Sequence, residues 1–251
     1  MNVGVYQGAA SLSALERWQE IVSQNIASAS VPGFKKTDAS FASVLGETER
    51  AGGDGRSGKE MRGVMPTVVS EISMRQGELR STGSELDFAI QGGGFFKVQR
   101  PNGESGYTRN GEFQLNQERT LVTKEGFPVM GDSGPLTLKP GGGRLSINAE
   151  GMVLQGETPV AKIGVYDFPD AKSLKRIGDG LLAPADGNAQ PQQVERPSVL
   201  CGSLESSNVS PLQEMVSLVS IARAYEASQR VILAHDENTG KAIESLGNPN
   251  P

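Results

Sequence analysis

Apolar positions recur near the start of the chain at alternate steps of three and four residues: Val5, Gly8, Leu12, Leu15, Gln19, Val22 and Ile26. Five of these seven are aliphatic, which predicts an amphipathic helix over residues 5–26 whose seam resembles that of a coiled coil, interrupted at Gly8 and Gln19. Val31-Pro32-Gly33 stops it, because proline pushes Val31 out of the α region and Gly33 can take a positive φ; Phe34 is then placed to fold back as an anchor. A second stripe closes the chain, through Met215, Leu218, Ala222, Tyr225, Gln229, Ile232, Asp236, Thr239, Ile243 and Leu246, seven of ten apolar, and predicts a helix over 211–246. Ser210 suits its cap, Pro211 its first position and Gln213 the capping-box position, while Gly247 and Pro249 end it.

Between the two stripes the period shortens. Val68, Ser70, Ile72 and Met74 alternate weakly, Leu86-Asp87-Phe88-Ala89-Ile90 and Phe95-Phe96-Lys97-Val98-Gln99 read as strands, and Gly92-Gly93-Gly94 between the latter two reads as a tight hairpin. Turn residues continue at short intervals as far as Pro197, the spacing of an antiparallel β domain. Residues 46–63 hold six glycines, many charges and almost no large apolar group, as a flexible linker does. The expected fold is therefore α+β: long terminal helices packing together around a central antiparallel β domain. The expected divisions are a helix and Pro-Gly turn over 1–40, linker and connecting strand over 41–80, β domain over 81–200 and closing helix over 201–251.

Neither helix has a partner in its own sequence neighbourhood, so each must cover its apolar face against the other or against other chains. That favours assembly over catalysis, and nominates Leu12, Leu15, Val22, Ile26, Pro32, Gly33, Phe34, Met215, Leu218, Tyr225 and Ile232 as assembly residues. Composition agrees: 36% hydrophobic content, 32 glycines and 14 prolines in 251 residues fit one modest domain with extended arms better than two compact domains. A net charge of −5 without a Lys/Arg cluster argues against a general nucleic-acid binder, leaving proteins as the expected partners. The sequence shows neither a cleavable signal with a basic start and apolar core nor a membrane-spanning run.

The chemistry-bearing residues do not assemble into a site. Cys201 has no second cysteine to pair with and reads as a structural thiol, and His235, the single histidine, reads as a surface helix position. Gly92-Gly93-Gly94 lacks the Lys-Ser/Thr pair and helix start of a phosphate cradle. Glu85 and Asp87, two apart on one face of a strand, are the only carboxylate pair with a glycosidase-like look, and no groove accompanies them. No catalytic, metal-ligating or cofactor-binding residue is nominated and no cofactor is expected. The alternative class, an extracellular carbohydrate-binding β module using Tyr107 and Trp18 as platforms, is disfavoured by Trp18 lying on a helix.

The segments Asn25 to Lys35, Thr82 to Phe96, Tyr107 to Phe113, Leu204 to Val209 and Arg223 to Glu226, taken together, resemble the flagellar rod and hook proteins. Asn25-Ile26-Ala27-Ser28-Ala29-Ser30-Val31-Pro32-Gly33-Phe34-Lys35 resembles that family's helix-ending motif, with Ser28 and Ser30-Val31 departing from the usual Asn and Thr. Thr82-Gly83-Ser84-Glu85-Leu86-Asp87-Phe88-Ala89-Ile90-Gln91-Gly92-Gly93-Gly94-Phe95-Phe96 and Tyr107-Thr108-Arg109-Asn110-Gly111-Glu112-Phe113 resemble its central signature. Leu204-Glu205-Ser206-Ser207-Asn208-Val209 and Arg223-Ala224-Tyr225-Glu226 resemble its closing motif. The resemblance implies a structural subunit of the basal-body rod in the periplasm, exported by the flagellar type III apparatus without a cleaved signal. It further implies terminal helices polymerising with other rod subunits and with copies of this chain into a torque-bearing tube, the β domain outside. The length and Asp236-Glu237-Asn238 are closer to the proximal than to the distal rod subunit of that family.

Overall fold

The computed structural model describes residues 3–46, 63–141, 143–148, 150–169, 174–185 and 190–247; apart from its two end residues, the predicted linker over 46–63 lies outside them. The chain divides into two units, one formed by Met1–Ile26, Thr37–Ser70 and Pro211–Pro251, the other by Ala27–Lys36 and Glu71–Ser210.

In the first unit the two predicted helices are present as α1, Val3–Ala27, and α2, Pro211–Gly247. Gly8 meets Ile232, Glu16 meets Tyr225 and Asn25 meets Glu214, so the two helices run antiparallel. Leu15, Val22 and Ile221 form the buried centre of the pair, flanked by Trp18, Ile26, Leu218, Ala224 and Tyr225. The interruption at Gly8 has a packing reason: a Cβ there would stand 2.6 Å from Ile232 Cγ1, so any larger residue obliges the Ile232 side chain to shift. Gln19 is exposed, outside the contact. On α2 the inward line is Glu214 and Ile221, both buried, with Leu218, Tyr225, Ser228 and Ile232 half-buried, while Met215, Ala222, Gln229 and Asp236 of the expected stripe lie on the exposed side. Both lines step by threes and fours; the difference is a rotation of the helix that sequence spacing does not fix. The strands Thr37–Gly46 and Gly63–Ile72 pair as a two-stranded sheet, and Phe41 meets Trp18 edge to face at 5.2 Å.

The second unit is antiparallel β throughout the pairings described. Its six-stranded sheet runs Leu174–Gly178, Leu181–Pro184, Ser105–Thr108, Phe95–Gln99, Val165–Asp167, Gln192–Gln193. Successive side chains of a strand point to opposite faces. Phe96 and Val98 accordingly join the main core with Phe88, Ile90 and Phe113, whereas Phe95 joins a second core with Tyr107, Phe168 and Leu182. Both faces of this sheet are buried, which is why adjacent phenylalanines are tolerated.

Two expectations are corrected here, the hairpin and the placement of Glu85 beside Asp87 on one strand face, and the disfavoured platform reading of Tyr107 falls with them. The strands flanking Gly92-Gly93-Gly94 do not pair with each other: Phe88–Gln91 pairs with Ser198–Cys201, and Phe95–Gln99 with Ser105–Thr108. The glycine run carries the chain between sheets rather than closing a hairpin. Glu85 and Asp87 do not act as a pair, because Glu85 lies in a turn and binds Arg144 at 2.8 Å, while Asp87 accepts the Thr82 hydroxyl at 2.6 Å. Tyr107, a proposed binding platform, is 4% exposed and packs edge-on to Phe168 at 4.8 Å, so its face is not available to a ligand.

Candidate functional site

The Pro-Gly turn after α1 is held by a buried ionic node in the second unit. Gly33 takes φ 68° and donates its N–H to Glu205 O at 2.7 Å, its Cα lying against the backbone of Arg109, where a Cβ would come within 2.2 Å of the carbonyl carbon. Phe34 is buried, and the Arg176 guanidinium lies over its ring at 4.2 Å while also donating to Lys35 O. Lys35 Nζ donates to Glu205 Oε1 at 2.7 Å and to Arg75 O at 2.8 Å. Arg109 Nη1 donates to Glu205 Oε2 at 3.1 Å and to Ile90 O, and Nη2 to Gly92 O. Gly77 N completes the carboxylate's shell at 2.8 Å.

One carboxylate thus answers two cations where solvent is nearly excluded, which carbonyl acceptors make tolerable. Burial dominates the titration of the cations. It pushes the Lys35 ammonium below its ordinary value of 10.5 against the pull of Glu205, and it lowers Arg109 likewise. Arg109 Nε has no hydrogen-bond partner among the described residues; the guanidinium rests over the Phe95 ring at 5.3 Å. Asn208 adds a second latch: its N–H donates to Phe34 O, its Oδ1 accepts Lys36 N at 2.6 Å, and its Nδ2 donates to Ser73 O and Arg75 O.

In the first unit the polar anchor is Asn25. Its side-chain amide pairs both ways with the Thr37 backbone, Oδ1 accepting Thr37 N at 3.0 Å and Nδ2 donating to Thr37 O at 2.9 Å, and Nδ2 also donates to Glu214 Oε2 at 3.2 Å. Asn25 is 1% and Glu214 3% exposed. Glu214 sits in the first turn of α2, where the helix dipole favours a negative charge.

Of the nominated residues, Leu15, Val22, Ile26, Leu218 and Tyr225 come together inside one chain, and Ile232 meets Gly8. Pro32, Gly33 and Phe34 belong to the turn above the ionic node, Leu12 is half-buried, and Met215 is exposed. Ile221, fully buried, was not among them, nor were Glu205, Lys35, Arg109, Asn25 and Glu214. Ile221 reads in the sequence as one more helix aliphatic, and a single charge or amide does not by itself name a partner. Opposite the face that α2 turns to α1, Leu212, Met215, Val216 and Val219 form an apolar stripe, each more than half exposed. Its spacing of three and four keeps the stripe on one side of the helix. Cys201 is half-buried, its thiol donating to Glu85 O and Leu145 O, and burial with the nearby Glu85 charge raises it above 9.0. His235 is an exposed helix position, as the sequence implies. No helix among the described residues is long and apolar enough to cross a membrane.

Comparison with known proteins falls on the same segments. Residues 89–155 match the family described as flagellar hook protein FlgE/F/G D1 domain, which takes in Arg109 and part of each core of the six-stranded sheet. Residues 201–245 match the family described as flagellar basal body rod FlgEFG protein C-terminal, which takes in Glu205, Asn208 and most of α2. The chain is 34% identical to the flagellar basal-body rod protein FlgF of Rhizobium meliloti, across 98% of this chain and 99% of that protein. It is 37% identical to FlgF of Caulobacter vibrioides across the whole of both chains. Similarity to the flagellar basal-body rod protein FlgG of Buchnera aphidicola subsp. Schizaphis graminum is 31% over 90% of this chain and 93% of that protein.

Proposed function

The chain belongs to the flagellar basal-body rod protein family, as a structural subunit of the rod and most like FlgF, and on that premise we propose how its surfaces serve assembly. It takes the proximal position in the shaft, and subunits join through the apolar stripe Leu212, Met215, Val216 and Val219 of α2. The observation that carries this reading is that α2 has two apolar faces while α1 occupies one. At 37 residues against 25, α2 also overhangs its partner, and Ile243 on the overhang is 66% exposed. Apolar surface presented along a helix in this way marks a contact for another chain. The neighbours are other rod subunits and copies of this chain, joined into a shaft that carries torque. The nominated residues Leu15, Val22, Ile26, Leu218, Tyr225 and Ile232 serve indirectly, by forming the helix pair that presents the stripe. Pro32, Gly33 and Phe34 serve by fixing the path of the chain leaving α1.

Delivery by the flagellar export apparatus, and the absence of nucleic-acid binding and membrane insertion, complete the proposal; the negative net charge supports the second of these. The test replaces exposed stripe residues with charge. Met215→Glu/Val219→Glu should leave helical circular dichroism within about 10% of wild type, since exposed substitutions are worth about 0.5 kcal/mol or less. Isolated basal bodies should nonetheless lack the exported variant. Its recovery in rods at wild-type level would remove the stripe from the interface.

A further inference from the structure

We propose that the buried Asn25–Glu214 pair sets the register in which α1 and α2 meet. The first turns of α2 carry aliphatic residues over more than half of their circumference, Leu212, Met215, Val216, Leu218, Val219 and Ile221, with Gln213, Ser217 and Ser220 on the remainder. Apolar packing alone therefore discriminates weakly between the observed alignment and one displaced by three residues, close to a helical turn, which seats Met215 and Leu218 where Leu218 and Ile221 lie against Leu15 and Val22. Hydrogen bonds are directional and short, so they discriminate strongly. In the observed alignment Asn25 Nδ2 reaches Glu214 Oε2 at 3.2 Å while its amide also closes on Thr37. Displacing α2 by three residues draws the carboxylate away from the amide and brings Pro211, which has no side-chain acceptor, to its place. Both groups are almost fully buried, so water does not compensate cheaply.

The pair is thus a positioning device of the kind a single buried polar residue supplies in a coiled coil, where it specifies alignment at some cost in stability. Its consequence reaches the outer surface. A one-turn displacement of α2 would shift Leu212, Met215, Val216 and Val219 along the helix pair, so register decides where the stripe is presented; this last step rests on the interface proposed above. The alignment claim itself does not.

The test reads alignment by disulfide capture in the full chain carrying Cys201→Ser. Gly8→Cys with Ile232→Cys reports the observed register, since these positions touch. Gly8→Cys with Gln229→Cys, in an Ile232→Ala background, reports the displacement by three residues. With Asn25 and Glu214 intact the displaced product should be at least about tenfold less abundant than the native one under redox buffer. In Glu214→Leu the two should come within about threefold of each other, and Glu214→Gln, which keeps an acceptor for the amide, should restore the native preference. Should Glu214→Leu lose its helical signal, Asn25→Leu/Glu214→Leu gives the same readout with both polar groups removed. Undiminished native preference in the apolar variants would overturn the proposal and show that packing sets the register. Failure of Met215→Glu/Val219→Glu to affect rods, with the register result intact, would overturn only the interface.

Discussion

The Lys35 ammonium donates to the Glu205 carboxylate across 2.7 Å, with the two side chains 2% and 1% exposed, joining the Pro-Gly-Phe-Lys turn to a strand 170 residues away. Removing one partner of such a pair leaves a buried charge unanswered. Glu205→Ala strands Lys35 and Arg109 together and should cost about 3–5 kcal/mol. Urea unfolding followed by the fluorescence of the β unit's tyrosines measures it, and a loss below about 1 kcal/mol would show that water or a neighbour answers both cations.

The lowered pKa of Lys35 carries a sign. Its unfolded value is near 10.5 and its folded value lies below that, so between the two the unfolded chain holds a proton that the folded chain has released. Stability contributed by this group therefore increases as pH rises through that window and is lowest, and independent of pH, below the folded value. The stability difference between wild type and Lys35→Met, taken at steps from pH 8 upward, should shift in favour of wild type with rising pH. A flat difference would place Lys35 at its ordinary value.

Gly33 combines a left-handed φ of 68° with an approach to Arg109 that leaves no room for a Cβ. Gly33→Ala should cost at least about 1–2 kcal/mol from backbone conformation alone. Displacement of the Arg109 backbone adds to this, and Gly33→Val is worse. Thermal unfolding and swimming in soft agar are both expected to decline; a variant with the wild-type melting temperature would mean the turn relaxes freely.

Cys201 should resist alkylation in the native state. Burial raises the thiol above 9.0, so at pH 8 it is less ionised than in the unfolded chain. Since the thiolate is the reactive form, iodoacetamide labelling at pH 8 should be at least about tenfold slower in buffer than in 6 M guanidinium. Equal rates would show the thiol to be open to solvent.

Local pattern was sufficient to read both helices, predicted over 5–26 and 211–246 and found at Val3–Ala27 and Pro211–Gly247. It also located the positive-φ glycine at the end of the first, because Pro32 restricts Val31 and glycine tolerates the conformation whatever surrounds it. Central antiparallel strands were legible from alternation and turn residues for the same reason: these signals act over a few residues. What a residue far away must supply was not legible. Spacing along α2 allows Leu218 to be followed by Ile221 or Ala222, and only the seat beside Leu15 and Val22 chose Ile221. Gly92-Gly93-Gly94 looks like a hairpin until the strands on either side are seen to pair elsewhere. A glutamate at position 205 reads as exposed by default, since burying a lone carboxylate is costly; it is buried because folding brings Lys35, Gly77 and Arg109 to it at once, from three separate stretches of chain.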